Sequence, residues 1–307
     1  MKRHGMAAAI LSLAVLLAAC SPASEPVSGE PSAVSWDSLT VESGLDLQYA
    51  DQFTVDYYTG GYALIHIVDG NDYLVVPENK PVPDGLADTT VVLTQPLDHI
   101  YLVATSAMDL FCALDGIGSI RLSGTDERGW YIDEAKAAMQ NGAMLYAGKY
   151  SAPDYELIYA EQCDLAVEST MIYHSPEVKE QLERLGVPVL VERSSYESSP
   201  LGRMEWLKLY GVLLNREEAA EAIYQQALDS LRPVIEQENT GKAVVFFYIN
   251  SNGSANVRKS NDYVAKMIEM AGGTYIFSDL GNDNALSTMN MQMEMFYTGA
   301  KDADVII

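Results

Sequence analysis

Basic side chains, cysteine and histidine are all scarce in this chain of 307 residues. Lys and Arg number 19 against 43 Asp and Glu, for a formal net charge of −24. A surface this acidic repels phosphate backbones and anionic headgroups, which excludes nucleic acid as a partner and a membrane held by charge alone. It suits a cationic ligand or a basic docking partner. Three Cys and four His provide no CxxC pair and no His/Cys ladder, so no metal site is expected. Missing too are the G-x-S-x-G elbow and the P-loop. "GIGSIRLSG" holds a G-x-G, but it precedes its strand and lacks the third glycine in phase. The adjacent carboxylates Asp126-Glu127 and Glu217-Glu218 do not face one another and read as solvated charges. The expectation is therefore a protein that is not an enzyme, with no catalytic residues and no intrinsic cofactor.

What is present begins at the N-terminus. Lys2 and Arg3 precede an apolar run over residues 7–19, too short to span a bilayer, which reads as a signal peptide. The run closes in "LAAC", which resembles the lipobox of bacterial lipoproteins and implies acylation of Cys20. More than one acyl chain is enough for stable anchoring. "SPASEPVSGEPSA" is then a polar, Pro-rich tether. Loss of Lys2 and Arg3 with the signal leaves 17 basic against 43 acidic side chains, a formal charge of −26. Nothing downstream is long and apolar enough to cross a membrane. Cys112 and Cys163 remain open between a disulfide and two buried thiols.

Three patterns follow. Aromatic and β-branched runs over residues 53–58, 62–68 and 73–76, separated by Gly60-Gly61 and Asp69-Gly70-Asn71, predict a β meander. From Thr89 short apolar strands alternate with helical segments: strands near 91–93, 99–104, 120–122, 144–146, 165–167 and 189–191, helices over 107–114, 132–140, 154–162 and 176–185. That alternation predicts a parallel sheet covered on both faces. Two long helical patterns, 203–214 and 216–236, come next, with Pro233 expected to kink or end the second. The β/α alternation resumes with a strand over 243–249, a helix over 262–270 and another over 291–298.

The order lobe, long helix, lobe resembles the substrate-binding proteins of ABC importers, in the class whose lobes are joined by one rigid helix. The resemblance covers residues 89–307 and rests on "TSAMDLFCALDG", "APDYELIYAEQCDLAVES", "LERLGVPVLVE", "SSPLGRMEWLKLYGVLLNREEAAEAI" and "NDYVAKMIEMAGG" in that order. It implies an α/β fold of two lobes, each a parallel sheet flanked by helices, joined by one long rigid helix, with the β meander as an addition. The expected organisation is signal peptide 1–19, lipidated Cys and tether 20–40, N-terminal β extension 41–88, first lobe 89–200, connecting helices 201–240 and second lobe 241–307. The second lobe reads as cut short, because the chain stops within an apolar run. The class carries ferric siderophores, haem or cobalamin to a permease dimer. A ferric siderophore is the expected cargo, with a haem or cobalamin protein of the same class as the alternative and a lipid-anchored hydrolase as a further one. The location is the extracytoplasmic membrane face, and the expected state is a monomer.

The repeat of "DYELIYAEQCDLAV" by "MEMFYTGAKDADVI" then acquires a meaning. Each places a Glu early in an amphipathic helix, and the resemblance implies that Glu156 and Glu294 dock in Arg pockets of the two permease subunits. Paired carboxylates on two lobes suit a symmetric partner. Ligands of open parallel sheets sit beyond the carboxyl ends of the strands. That rule assigns Thr105, Ser106 and Met108, Lys149 and Tyr150, Thr170, and Tyr196 to the cleft from the first lobe, and Arg258 in "NSNGSANVRKSN", with residues 281–288, from the second. Cations among so many acids suit an anionic chelate, and Tyr150 and Tyr196 suit stacking or iron ligation. His174 is expected to cap a helix or bond backbone. The Met residues are expected to be core, and a single connecting helix predicts little closure on binding.

Overall fold

The computed structural model describes residues 34–68, 70–281 and 288–307. The signal peptide, Cys20 and nearly all of the tether lie outside the described residues, as do residues 282–287 of the expected second-lobe loop.

Strands β1 (Val41–Gly44), β2 (Phe53–Tyr58), β3 (Tyr62–Ile67) and β4 (Asp72–Val76) form an antiparallel meander, and β5 (Thr90–Thr94) joins β4 in parallel. Gly60 and Gly61, in the three-residue link 59–61 between β2 and β3, both sit at positive φ, where glycine is favoured. Alternation buries Phe53, Val55, Ile65 and Ile67 on one face. The run expected to open the first lobe is β5, and its partner is β4 of this sheet. A five-residue apolar run does not announce its neighbour. The preceding link, carrying Pro81 and Pro83, is long enough to return the chain for parallel pairing.

The first lobe alternates β6 (Ile100–Leu102), α1 (Met108–Ala113), β7 (Ile120–Ser123), α2 (Asp133–Gln140), β8 (Leu145–Tyr146), the small hairpin β9 (Gly148–Lys149) and β10 (Ala152–Pro153), α3 (Tyr155–Ala160), β11 (Leu165–Ser169), α4 (Pro176–Arg184) and β12 (Val189–Glu192). Its parallel sheet has the order β12-β11-β6-β7-β8. Side chains of odd and even register go to opposite faces. Leu102, Leu165, Val167 and Leu190 pack with α1, while Tyr101, Ala166, Val189 and Val191 pack with Ile158 of α3 and Leu182 of α4. Cys112 and Cys163 belong to these opposite faces and are free thiols. Burial pushes their pKa values up to about 11 and about 12, which leaves both unreactive.

Helix α5 (Pro200–Leu214) starts at a Ser199 cap with Pro200 in its first turn and ends at Asn215 in the left-handed conformation. Helix α6 (Glu217–Ile235) follows. A Cβ on Gly211 would lie 2.7 Å from that of Ala220, so only glycine permits this approach of the two helices. The sequence pattern marks α5 as half of a connector. The structure places it in the largest core, where Trp206, Leu209, Tyr210 and Leu213 pack with the inner face of the N-terminal sheet and with β6, β11 and α1. Tyr73 Oη donates to the Val189 carbonyl at 2.8 Å, joining that sheet to the parallel one. Helix α6 packs Ala220 and Tyr224 on the same core, while most of its final turns are exposed as they carry the chain onward. Pro233 lies inside its last turn, and the helix continues to Ile235.

Two charges inside α5 explain how the segment between β1 and β2 is held. Glu205, fully buried, accepts from the backbone N–H groups of Gln48, Tyr49 and Ala50 at 2.8–2.9 Å. Lys208 Nζ lies 3.3 Å from Glu205 and 3.0 Å from Glu221, and donates to the Asp46 carbonyl. Glu197 adds bonds to the Asp51 and Gln52 N–H groups and to Trp206 Nε1. Glu205 and Lys208 are thus paired and hydrogen-bonded, as burial requires.

The second lobe contains β13 (Ala243–Val245), β14 (Phe247–Ile249), β15 (Ala255–Arg258), α7 (Tyr263–Met270), β16 (Thr274–Tyr275), β17 (Thr288–Met291), α8 (Met293–Ala300) and β18 (Val305–Ile306). Strands β16-β13-β18 are parallel, whereas β14-β15-β17 are antiparallel. The expectation of one strand over 243–249 followed by a long loop is corrected here: the strand breaks at Phe246, and the loop contains β15. Asn250 Oδ1 accepts from Asn252 and Ser254 N–H, and Gly253 sits at φ 75°, which makes "NSNGS" a hairpin turn. Val244, Val257, Tyr275, Phe277 and Phe296 form a separate core.

Candidate functional site

Because the first-lobe sheet is all parallel, its post-strand segments collect at one edge. After β6 comes the turn Thr105–Ala107. Ser106 Oγ donates to Glu192 Oε2 at 3.0 Å, and the Ser194 N–H donates to Glu192 Oε1. Glu192 ends β12 and is buried, which raises its carboxyl pKa against the opposing hydrogen bonds from Ser194 and Ser106. After β12 the turn Ser194–Tyr196 leaves the Tyr196 ring exposed, with the Arg193 guanidinium 4.5 Å from its centroid. Arg203, in the first turn of α5, donates to the Ser195 carbonyl at 2.7 Å and lies 3.7 Å over the ring of Tyr263 on α7. This stack joins the two lobes. Among the described residues Arg203 Nε is buried with no hydrogen-bond partner, and burial lowers the guanidinium pKa.

Arg258 closes the arrangement from the second lobe. It ends β15, with Nη1 3.7 Å from Asp262 Oδ2 and its guanidinium 5.4 Å from the Phe246 ring. Tyr275 Oη accepts from the Arg258 N–H and donates to its carbonyl, fixing the strand end. Thus the structure brings Thr105, Ser106, Tyr196 and Arg258 toward the α5–α7 contact, around Glu192 and Arg203.

Other expected residues stand apart. Lys149 and Tyr150 lie at the tip of the β9–β10 hairpin beyond β8, four strands from β12 and so roughly 19 Å away along the edge. Thr170 opens the turn Thr170–His174, which exposes Met171, Tyr173 and His174 on the same rim. Met108 is corrected: it is fully buried in the main core, because the first turn of α1 points it inward.

Two features were missed by sequence reasoning. One is Arg203, visible in "SSPLGRM" only as a helix-start residue. The other is the segment after β7, "GTDERGWY", which the post-strand rule covers. There Asp126 caps a short turn, Trp130 Nε1 donates to Ser123 Oγ, and Tyr131 is 90% exposed. Below the rim, Glu168 of β11 is fully buried, and among the described residues neither carboxylate oxygen has a hydrogen-bond partner. Burial pushes its pKa up to about 8.

Helices α3 and α8 carry the paired acids. Glu156 and Glu294 each lie in the first turn and are exposed, and among the described residues neither carboxylate has an ion-pair partner. The Asp of the repeat has a structural duty. Asp164 Oδ2 accepts from Asp98 and His99 N–H at 2.8 and 2.9 Å, and Asp304 Oδ2 accepts from Ala243 N–H at 2.8 Å. Each clamps the start of the neighbouring parallel strand. Asp98, His99 and Asp164 bring three potential ligand atoms within 4.8 Å of one another. They lie at the edge opposite the rim. Asp304 clamps in the same way from an equivalent position, so the clamp alone accounts for Asp164. A hollow of about 460 Å³ beside α3, lined in part by Tyr159, Leu185 and Val187, also lies away from the rim.

No family model matches the sequence. An uncharacterised lipoprotein of Methanocaldococcus jannaschii is 27% identical over 289 residues, 87% of this chain and 67% of that protein. A second uncharacterised lipoprotein of that organism is 22% identical over 275 residues, 85% of this chain and 67% of that one. Among solved structures, a periplasmic haem-binding protein of Vibrio cholerae aligns with a TM-score of 0.54 at 16% identity, over 67% of this chain and 74% of its own. A catecholate-siderophore binding protein of Vibrio cholerae gives 0.53 at 17%, over 70% and 72%. A protein of an Fe3+-hydroxamate transport system from Saccharomonospora viridis gives 0.52 at 20%, over 69% and 73%. The chain therefore has the mixed α/β fold of periplasmic solute-binding proteins, with parallel sheets flanked by helices. Among the described residues no helix is long and apolar enough to cross a membrane.

Proposed function

We propose that this protein is the substrate-binding component of an ABC importer, held on the extracytoplasmic face of the membrane through an acylated Cys20. It captures a chelated metal, a ferric siderophore, and delivers it to a permease dimer without turning it over. The observation that carries this reading is the matched pair of exposed, unpaired carboxylates, Glu156 and Glu294, each in the first turn of an equivalent helix on a fold shared with solute-binding proteins. A monomer with two such acids presents one to each half of a two-fold partner.

In this reading the cargo rests on Thr105, Ser106, Tyr196, Arg203 and Arg258, with Lys149, Tyr150 and Thr170 further along the rim. The guanidinium groups of Arg203 and Arg258 suit the carboxylate, catecholate or hydroxamate oxygens of a chelate. Tyr196 offers a stacking face already paired to Arg193 on one side. The protein itself needs no cofactor.

Thermal melting with ferric hydroxamate, ferric catecholate, haem and cobalamin tests the reading. A ferric siderophore at a hundredfold excess over its Kd adds about 2.7 kcal/mol of stability. Preferential stabilisation by haem or cobalamin moves the cargo within the class. If no chelate stabilises the chain and an ester or phosphate is hydrolysed instead, the reading is wrong.

A further inference from the structure

The repeated helices share more than their glutamates. Aligned on Glu156 and Glu294, the buried Ile158 matches the buried Phe296, and the next residue outward is a tyrosine in both, Tyr159 and Tyr297. These rings are 69% and 71% exposed, respectively. The flanking positions differ: Tyr155 faces Met293, and Leu157 faces Met295. Glu and Tyr three residues apart lie side by side on a helix surface. Folding needs only the buried residue between them, and a large aromatic ring left in water at both places earns nothing from the core.

We propose that Tyr159 and Tyr297 complete the two docking sites, so that each lobe offers a partner guanidinium a two-part receptor: a carboxylate to accept its hydrogen bonds and a tyrosine ring to lie against its face. The inference rests on the docking reading above and adds a tyrosine ring to each carboxylate–arginine contact which that reading contains. Three observations support it. The chain carries −24 and favours a cationic partner. Two equivalent Glu-x-x-Tyr faces call for two equivalent cations, which a two-fold assembly supplies. The same pairing is already used within this protein, with Arg203 3.7 Å over Tyr263 and Arg193 4.5 Å from Tyr196. Arginine suits the role better than lysine because its planar group stacks and bonds at once.

Docking of the mature chain to its permease reconstituted in lipid nanodiscs tests this, with ferric-siderophore affinity and melting temperature measured alongside. Tyr159→Ala with Tyr297→Ala should weaken docking about tenfold or more, whereas Tyr159→Phe with Tyr297→Phe stays within about twofold, since the ring is what stacks. Both pairs should keep the ligand affinity and melting temperature of the parent chain. If the alanine pair docks normally while Glu156→Ala with Glu294→Ala does not, the tyrosine inference falls and the docking reading stands. If the phenylalanine pair is as weak as the alanine pair, stacking is not the interaction and the inference falls. If the glutamate pair also docks normally, both fall together.

Discussion

The two lobes build the same helix–loop–strand unit into different surroundings. In the first, β11 lies between β6 and β12 with four of its five residues buried, and the core beneath it is shared with the N-terminal sheet and α5. In the second, β18 pairs among the described residues with β13, and the core is a smaller cluster around Phe277 and Phe296. What stays the same across the two is the outside: an exposed Glu, an exposed Tyr, and an Asp that holds the next strand. Inward-facing residues answer to local packing and differ. Outward-facing residues with no packing duty that nevertheless match are more economically explained by a shared partner than by folding.

The comparison can be broken most severely at Glu205. Glu205→Ala strips three N–H groups of their acceptor and leaves buried Lys208 with Glu221 and the Asp46 carbonyl. The expected loss is about 3–5 kcal/mol in a denaturant titration of the first lobe. The second-lobe core, probed by hydrogen exchange at Val244 and Val257, should change little. Protection lost equally in both lobes would mean that they do not fold as separate cores.

A second break uses pH, through the buried Glu168 of the first lobe. Its folded pKa of about 8 lies above the ordinary value of 4.5, so the folded state binds the extra proton between the two. The stability it lends is complete below about pH 4.5 and is lost as pH rises toward 8, by up to about 1.4 kcal/mol per unit. Glu192, raised in the same direction by burial, adds to the slope. Glu168→Gln should flatten it, and an unchanged slope would show that Glu168 does not titrate in this window.

The strand clamps sharpen the comparison further. Asp164→Ala removes two backbone bonds from a partly buried carboxylate and should cost about 1–3 kcal/mol. Asp304→Ala removes one exposed bond and should cost about 1 kcal/mol or less. Equal costs would mean that the clamps are insensitive to their surroundings. Smaller still, Arg258→Ala should weaken ferric-siderophore binding about tenfold, with fluorescence titration as the measure, and an unaltered affinity would remove it from the cleft. Scattering with and without ligand should barely differ, since one helix leads from lobe to lobe.

Much of this molecule was legible before any coordinates. Alternating apolar runs and turn residues declared the meander, the β/α alternation declared the first-lobe sheet, and the repeated Glu declared the matched helices. These are local signals, carried by spacing and turn chemistry within about ten residues. Met108 was misplaced because a post-strand position says where the backbone goes and not which way a side chain turns. Arg203 was overlooked because its stack depends on Tyr263, 60 positions away. Partners so distant leave no trace in periodicity.

By itself the sequence determined the elements, the acidic surface and the twofold repeat, since propensity, charge and turn geometry act over short stretches of chain. Tertiary packing settled that α5 is core and not connector, that β5 pairs with β4, that "NSNGSANVR" is a hairpin, and that Ser106 and Arg203 gather around Glu192. Those outcomes depend on which surfaces exclude water together, and burial is a property of the assembled chain.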